Sequence, residues 1–412
     1  MTYTPSDFAV SSEIGRLRRV MLHRPGKELE RLTIDNKDDL LFDDILWVEE
    51  AQKEHDAFAD LLRDYGAEVV YFERCLEQVL RDASVRMALL DDVLALEALD
   101  ISLCCSLRDA LQDVPSDKLA SLLISGITKK EALELFETSQ SLVLHVIGDN
   151  DFIIRPLPNL YFQRDPFSFV NNGVVISCMN YPARQREPLY AKYIFTHHPY
   201  FKGLNIFYGT EPRDVYPYTI EGGDVLVLRQ DVVAIGISER TRAGTVQIVG
   251  RRLAQKAGVR RILAVDIPKT RASMHLDTVF TMVDRDAFTI YPDLRKSVRV
   301  VELLFEEDGK LLAIKEHESL ESSLQKVLDL EKIRFIETGG GNPVMAARDQ
   351  WNDGTNTFSI APGVVVTYRR NVVSNQYLRD QGIKVHEIRG AELGRGRGGP
   401  RCMSHPLLRE PL

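Results

Sequence analysis

The amino-acid sequence predicts an α/β fold in which five ββαβ modules form a ring and a helical bundle is inserted after the first module. Two patterns support this prediction. A hairpin followed by a helix and a further strand recurs along the chain, and a leucine-rich stretch interrupts the recurrence once. The chain has 412 residues, of which 44% are hydrophobic, so it is long enough for one large core and a satellite domain.

The clearest module follows the sequence EGGD at 221–224. Residues 225–228 and 232–237 have the apolar, β-branched character of two strands, and the three residues between them are typical of a turn. A helix is predicted near 241–257 and a strand at 261–267, because the apolar period changes between these segments. This order is the ββαβ unit.

Four further copies repeat this order less clearly. They begin at Asn159, His275 and Asn342, and the N-terminal residues 18–72 supply the fifth. Each unit can bury its strands only against its neighbours, so a closed ring is a reasonable solution that brings the starts of the hairpins together near its axis. Four candidate chemical residues lie at such starts: Asp165, Glu221, His275 and Asp277.

The leucine-rich stretch at about 77–140 has apolar residues at spacings of three and four, which is the pattern of amphipathic helices. We therefore expect a helical domain at 76–147, inserted into a catalytic domain made of residues 1–75 and 148–412. Nothing in the inserted segment suggests chemistry.

Charge and hydropathy exclude several functional classes. A net charge of −8 argues against nucleic acid as a partner, since such proteins usually carry a basic domain or stripe. No apolar run reaches the roughly 18 residues that span a bilayer, and residues 1–7 lack the basic and apolar regions of a signal peptide. We expect a cytoplasmic protein that binds a small molecule and no membrane.

The five cysteines form no CxxC pair and show no metal-ligand spacing, which makes disulfide and zinc frameworks improbable. Four lie in apolar contexts and are expected to be buried and inert: Cys75, Cys104, Cys105 and Cys178. Cys402 instead follows a glycine-rich loop with three arginines. Because nearby cations lower the pKa of a thiol, Cys402 is the candidate nucleophile.

His275 and Asp277 stand two residues apart, so on an extended strand they would share one face. Glu221, from a matching hairpin, could accept the second ring N–H of His275 and favour its imidazolium form. Asp165 adds another carboxylate. Such clustered negative charge is costly without a cation, and a planar guanidinium suits paired carboxylates best.

Six motifs together resemble those of the bacterial arginine deiminases, members of the guanidino-group modifying superfamily of five-bladed α/β propellers. The resemblance covers essentially the whole chain. The motifs are MLHRPG at 21–26, LFDD at 41–44, NLYFQRDP at 159–166, EGGD at 221–224, HLD at 275–277 and RCMS at 401–404.

The resemblance implies hydrolysis of L-arginine to L-citrulline and ammonia through a covalent S-alkylthiouronium, with no metal or organic cofactor. Cys402 would be the nucleophile and His275 the proton shuttle. Glu221 would orient His275, while Asp165 and Asp277 would grip the guanidinium. A homo-oligomer, either a dimer or a tetramer, is also expected.

The same resemblance implies the residues of the amino-acid end. Arg184 and Arg240 would hold the substrate carboxylate, Asn159 and Phe162 would line that end of the site, and Arg397 would close on it from a loop. This chain departs from the family at two places next to the nucleophile. Gly-Gly-His commonly precedes the cysteine, whereas residues 399–401 read Gly-Pro-Arg, and residue 405 is histidine where methionine or cysteine is more usual.

Other functions within the superfamily remain alternatives. An amidinotransferase, or a deiminase of agmatine or methylated arginine, would use the same cysteine, histidine and carboxylates. Arg184 and Arg240 favour a substrate with a free carboxylate, and the helical insertion argues against the compact methylarginine hydrolases. A different class of function is a non-catalytic arginine sensor or a surface-exposed interaction protein built on this fold. Such a protein would be expected to lack at least one of these catalytic residues, and all are present.

Overall fold

The computed structural model describes residues 8–136 and 140–412. The predictions for residues 1–7, and the part of the inserted segment at 137–139, lie outside the described residues. The strands, in chain order, are β1 (Leu17–Leu22), β2 (Glu68–Tyr71), β3 (Ile127–Thr128), β4 (Phe152–Ile154), β5 (Phe167–Val170), β6 (Gly173–Ile176), β7 (Asn205–Tyr208), β8 (Val225–Arg229), β9 (Val232–Ile237), β10 (Arg261–Asp266), β11 (Phe280–Met282), β12 (Ala287–Ile290), β13 (Arg299–Phe305), β14 (Leu311–His317), β15 (Arg334–Glu337), β16 (Phe358–Ala361), β17 (Val364–Tyr368), β18 (Lys384–Ile388) and β19 (His405–Arg409).

The helices are mostly short, and several alternate with the small sheets. They are α1 (Lys27–Glu30), α2 (Val48–Asp64), α3 (Phe72–Val79), α4 (Ala83–Ala95), α5 (Ile101–Leu111), α6 (Ser116–Ser125), α7 (Lys129–Leu133), α8 (Leu142–Val146), α9 (Arg186–His197), α10 (Ala243–Ala257), α11 (Pro292–Ser297), α12 (Leu320–Leu328), α13 (Pro343–Trp351) and α14 (Val372–Asp380).

Five small sheets share one pairing pattern, in which a central strand has an antiparallel neighbour on one side and a parallel neighbour on the other. The central strands are β1, β6, β9, β12 and β17. In each case the parallel partner follows a helix, which is the predicted ββαβ order. The first sheet differs, because its antiparallel strand β19 comes from the C-terminal end of the chain.

Helix α10 shows why a module folds as it does. Its buried residues recur at helical spacing, with Val246, Val249 and Leu253 facing the core. The helix ends at Gly258, whose φ of 74° lies in the left-handed region that glycine adopts without steric cost. Strand β10 then begins three residues later and runs parallel to β9.

Several elements were absent from the sequence prediction, among them a hairpin and a helix. Strands β13 and β14 form an added hairpin that extends one sheet to five strands, in the order β14-β13-β10-β9-β8. Helix α13 occupies the start of the fourth module and is capped by the Asn342 side chain, which accepts hydrogen bonds from the backbone N–H groups of Val344 and Met345. Its helical apolar period is weak, because the exposed Val344 and Trp351 lie on it.

The leucine-rich stretch is helical, as expected: α3 to α8 lie between β2 and β4, accompanied by the two-residue strand β3. Their buried leucines, such as Leu76 and Leu89, belong to the same hydrophobic cluster as Phe167 and Phe195. The division into two domains at 76–147 stays a prediction. Among the described residues, no helix combines the length and apolar character needed to cross a bilayer.

Candidate active site

Short 3₁₀ turns connect two of the predicted catalytic residues to the hairpins that follow them. Glu221 precedes the turn Gly222–Asp224, which leads into β8, and His275 precedes the turn Leu276–Thr278, which leads into β11. Asp165 lies two residues before β5. The predicted position at the start of each hairpin is confirmed, but the placement of His275 and Asp277 on one strand is wrong, because residues 276–278 form a turn.

Asp224 joins two of these turns. Its Oδ1 accepts a hydrogen bond from the backbone N–H of Leu276 at 2.8 Å, and its Oδ2 accepts one from the Ser238 hydroxyl at 2.7 Å. Burial raises the pKa of Asp224 to about 6, against the opposing effect of the nearby His275 charge and these hydrogen bonds. Asp224 therefore fixes the position of the His275 turn relative to the Glu221 turn.

Cys402 is 4% exposed, and its Sγ lies 3.6 Å from Oδ2 of Asp277. Its backbone N–H donates to Oδ1 of Asn356 at 3.0 Å. Burial, followed by the charges of Asp277 and Asp165, raises the pKa of the thiol well above its usual value. Arg401 lowers the pKa of the thiol, as expected, but burial and the carboxylates outweigh it, so the resting residue is a thiol at neutral pH.

The loop arginines do not reverse this rise in the thiol pKa, because Arg401 and Arg395 pair with carboxylates. Arg401, which is fully buried, donates to Oδ2 of Asp277 at 2.7 Å and to Oε2 of Glu13 at 3.1 Å. Arg395 pairs with Asp44 at the surface. Glu13 is a site residue that the sequence analysis missed, since it lies almost 400 positions from its partner and belongs to no motif.

The other cysteines differ in exposure. Cys75 is buried, as expected, and Cys104 and Cys178 are half-buried. Cys105 is exposed, so the prediction of burial is wrong at that position. The apolar neighbours of Cys105 belong to the buried side of α5, whereas Cys105 itself faces outward.

His275 lies between two carboxylates. Its Nε2 is 2.8 Å from Oε2 of Glu221, and its Nδ1 is 3.7 Å from Oδ1 of Asp165. Burial by itself lowers the pKa of His275, but the charge of Asp165 and the hydrogen bond with Glu221 outweigh burial and raise it to about 9. His275 is therefore an imidazolium at neutral pH, as the sequence predicted.

Arg184 and Arg240 also contact carboxylates of this cluster. Arg184 donates through Nη1 to Oδ2 of Asp165 at 2.6 Å and through Nη2 to Oε2 of Glu187 at 2.7 Å. Arg240 donates through Nη1 to Oε2 of Glu221 at 3.2 Å, and its guanidinium lies over the Tyr181 ring. In this state both arginines neutralise site carboxylates, and their role toward a substrate carboxylate stays a prediction.

Eight of the ten predicted site residues line one small cavity, and the other two touch it through hydrogen bonds. Glu221 contacts His275, and Asp277 contacts Cys402. The eight are Asn159, Phe162, Asp165, Arg184, Arg240, His275, Arg397 and Cys402. The cavity has a volume of about 20 Å³, which is room for one water molecule.

The glycine-rich loop closes this cavity by lying directly on the aromatic residues beneath it. A Cβ at Gly398 would stand 2.2 Å from Cε1 of Phe162, so any larger residue would push the loop away. The Tyr368 hydroxyl donates to the carbonyl of Gly398 at 2.8 Å, and the Tyr161 hydroxyl donates to that of Leu393 at 2.9 Å. Substrate entry therefore requires the loop to move.

Two carboxylate oxygens in the site have unused hydrogen-bonding capacity. Oδ1 of Asp165 and Oδ1 of Asp277 are buried and have no hydrogen-bond partner among the described residues. Buried carboxylate oxygens without donors are costly, so each of these oxygens could accept an N–H group of a cationic ligand. Within 8–136 and 140–412, no group of three or more His, Cys, Asp and Glu side chains is arranged to hold a metal ion.

Comparison with known proteins identifies the family of the chain. The profile of the arginine deiminase family matches residues 38–409. The chain belongs to the arginine deiminase family. The arginine deiminase of Staphylococcus aureus strain JH9 is 45% identical over 416 aligned residues, which cover 99% of this chain and all of that protein.

Solved structures outside the arginine deiminase family share the fold. DDAH from Pseudomonas aeruginosa, in complex with citrulline, is 13% identical with a TM-score of 0.52, and the match covers 95% of this chain and 99% of that one. An amidinotransferase from Microseira wollei is 12% identical with a TM-score of 0.55, covering 98% of each chain. These likenesses identify a propeller-like α/β fold.

Proposed function

We propose that the small cavity beside Cys402 is where this member of the arginine deiminase family acts. The chain hydrolyses L-arginine to L-citrulline and ammonia. The observation that carries the assignment of the site is that Asp165 and Asp277 each have an unpartnered oxygen, and that Asp277 lies beside a buried thiol and Asp165 beside an imidazolium. A guanidinium supplies both the charge and the N–H donors that these oxygens lack.

Binding comes first and activates the nucleophile. Once the loop has opened, the substrate guanidinium donates to Oδ1 of Asp165 and Oδ1 of Asp277, the two oxygens that have no other donor among the described residues. Its positive charge offsets the two carboxylates that raise the pKa of Cys402. The thiol then loses its proton to solvent, and the thiolate is formed next to its target carbon.

The first half of the reaction forms the covalent intermediate. The Cys402 thiolate attacks the guanidinium carbon, and a C–S bond forms as the electrons of a C–N double bond move to nitrogen. The His275 imidazolium gives its proton to the departing nitrogen, the C–N bond breaks, and ammonia leaves. An S-alkylthiouronium remains on Cys402, and His275 is neutral.

The second half uses the neutral imidazole as a base. His275 takes a proton from water while the water oxygen attacks the thiouronium carbon. The tetrahedral adduct collapses with cleavage of the C–S bond, and its hydroxyl proton passes to solvent as the C=O bond forms, which releases L-citrulline and leaves the thiolate and the imidazolium. Glu221 holds Nε2 of His275 throughout. Burial raises the pKa of Glu221, but the charge of Arg240 and the hydrogen bond with His275 outweigh burial and lower this pKa to about 2.

The test is a Cys402→Ser variant with calorimetry and a citrulline assay. We expect loss of turnover by at least about three orders of magnitude, together with retained binding of L-arginine, because the carboxylates that hold the guanidinium are unchanged. Cys178→Ser is the matched control, since Cys178 is half-buried outside the lining of the cavity. Turnover by Cys402→Ser within about tenfold of the wild type would remove Cys402 from the nucleophile role.

The arrangement of the sheets extends the same proposal. The repeated pairing pattern supports a ring of five ββαβ modules, closed where β19 pairs with β1, with the helical segment at 76–147 as an inserted domain. In such a ring the 3₁₀ turns would meet near the axis, where the cavity lies. The homo-oligomeric state and the cytoplasmic location stay predictions.

A further inference from the structure

Trp351, which is not one of the predicted site residues, contacts Arg397, a residue that lines the cavity. It is the last residue of α13 and is 54% exposed, whereas the loop residue Arg397 is 6% exposed. The guanidinium carbon of Arg397 lies 3.6 Å from the centroid of the Trp351 ring. This distance is well inside the range of about 6 Å within which a cation is attracted to an indole face.

Stacking leaves the hydrogen-bond donors of Arg397 free in the plane of the guanidinium. Its Nε and Nη1 atoms are buried and have no hydrogen-bond partner among the described residues. Arg397 lines the cavity together with Arg240 and Cys402. An arginine held by its face on a ring can therefore present in-plane N–H groups to an anion in the cavity.

The backbone of Arg397 also indicates that its position is held by its contacts. Its φ of 64° and ψ of 63° lie in the left-handed region, which residues other than glycine seldom adopt. Such a conformation persists where the surrounding structure holds the residue. The Trp351 ring is one of the contacts that hold the Arg397 side chain.

Trp351 is itself fixed relative to the catalytic turn by its neighbours in sequence. The side-chain amide of Gln350 donates to the carbonyl of Thr278 at 2.9 Å. Asn356 donates to the carbonyl of Asp277 at 3.1 Å and accepts the backbone N–H of Cys402 at 3.0 Å. These hydrogen bonds tie the end of α13 and the segment after it to the turn that carries Asp277 and to the nucleophile.

We infer that Trp351 is a positioning residue that holds Arg397 for recognition of the substrate carboxylate. When the loop closes over L-arginine, the Arg397 guanidinium lies on the indole face, and its in-plane donors turn toward the carboxylate. This inference rests on the proposed function, because it assigns to the closed cavity an amino-acid substrate with a free carboxylate.

Steady-state kinetics of Trp351→Ala and Trp351→Phe test the inference. Loss of the ring should raise KM for L-arginine about tenfold while kcat stays within about threefold, since a cation–π contact is lost and the reacting groups are untouched. Trp351→Phe should recover most of the loss, because it keeps an aromatic face. Trp47→Ala is the matched control, since Trp47 is an exposed tryptophan away from the cavity lining.

Fluorescence gives a second readout that does not depend on turnover. The chain has two tryptophans, so a Trp47→Phe background leaves Trp351 as the sole indole. In this background, Arg397→Ala should shift the emission of the resting protein and abolish any change on titration with L-arginine. Trp351 emission that is the same with and without Arg397→Ala would overturn the inference. A Trp351→Ala variant with the wild-type KM would also overturn it.

Failure of the proposed function and failure of the inference about Trp351 give different experimental results. If the proposed function is wrong, the wild-type protein forms no citrulline from L-arginine. If the role of Trp351 is wrong, the wild type remains active while Trp351→Ala keeps its KM. A Trp351→Phe variant as impaired as Trp351→Ala would also overturn the inference, since it would show that the size of the indole, and not its aromatic face, is what matters.

Discussion

The distance between the Cys402 thiol and Asp277 predicts how the resting nucleophile reacts. Sγ lies 3.6 Å from Oδ2 of Asp277, so a thiolate there is repelled by a neighbouring carboxylate. At that separation the repulsion is about 1.2 kcal/mol with the dielectric constant of water and about 4.6 kcal/mol with an effective value near 20. Because Arg401 already offsets part of the carboxylate charge, the lower figure is the appropriate one.

The perturbation is Asp277→Asn, and the assay is alkylation of Cys402 by iodoacetamide at pH 7.5, followed by mass spectrometry of the Cys402 peptide. Removal of about 1.2 kcal/mol increases the thiolate population about eightfold. A less basic thiolate is also a weaker nucleophile, which reduces the expected gain in alkylation rate to about threefold. Turnover of L-arginine should fall in the same variant, because a guanidinium ligand is lost.

Two further variants test the same reasoning in the alkylation assay. Arg401→Met should slow alkylation, because it leaves the Asp277 charge uncompensated beside the thiol. Asp214→Asn removes a buried carboxylate that pairs with Arg252 outside the cavity lining, and it should leave the rate unchanged. If Asp277→Asn reacts at the wild-type rate or more slowly, the carboxylate does not suppress the thiolate and the reasoning is refuted.

Three other predictions follow from the site and its surroundings. Arg240→Ala should cost about 2–5 kcal/mol in kcat/KM for L-arginine and less for agmatine, which lacks the carboxylate; an equal loss for both substrates would contradict the assignment of Arg240. His275→Ala should accumulate a thiouronium on Cys402, visible by denaturing mass spectrometry as the substrate minus ammonia, whereas ammonia release without an adduct would favour direct attack by water. Burial lowers the pKa of His23, but two glutamates outweigh burial and raise this pKa from 6.5 to about 10. The stability that His23 contributes is therefore complete below pH 6.5 and is lost as the pH rises through 10. Urea unfolding of the wild type and of His23→Gln should therefore differ more at pH 6.5 than at pH 10, and a constant difference would exclude this linkage.

Local sequence patterns predicted most of the elements that position the site. The helix expected near 241–257 is α10, and the strand expected at 261–267 is β10. These predictions succeeded because periodicity and turn residues act within a few positions of the chain. The hairpin β13–β14 and the helix α13 escaped prediction, because their exposed apolar residues blur that periodicity.

The sequence by itself determined which chemical groups the protein has and the order in which they occur: the thiol of Cys402, the imidazole of His275, and the carboxylates placed before the hairpins. The ionisation of the nucleophile was decided only by the tertiary structure. Arg401 is the neighbour of Cys402 in sequence, yet it pairs with Asp277 and Glu13. The physical reason is that a pKa depends on burial and on distances between charges, which are set by contacts between residues more than a hundred positions apart.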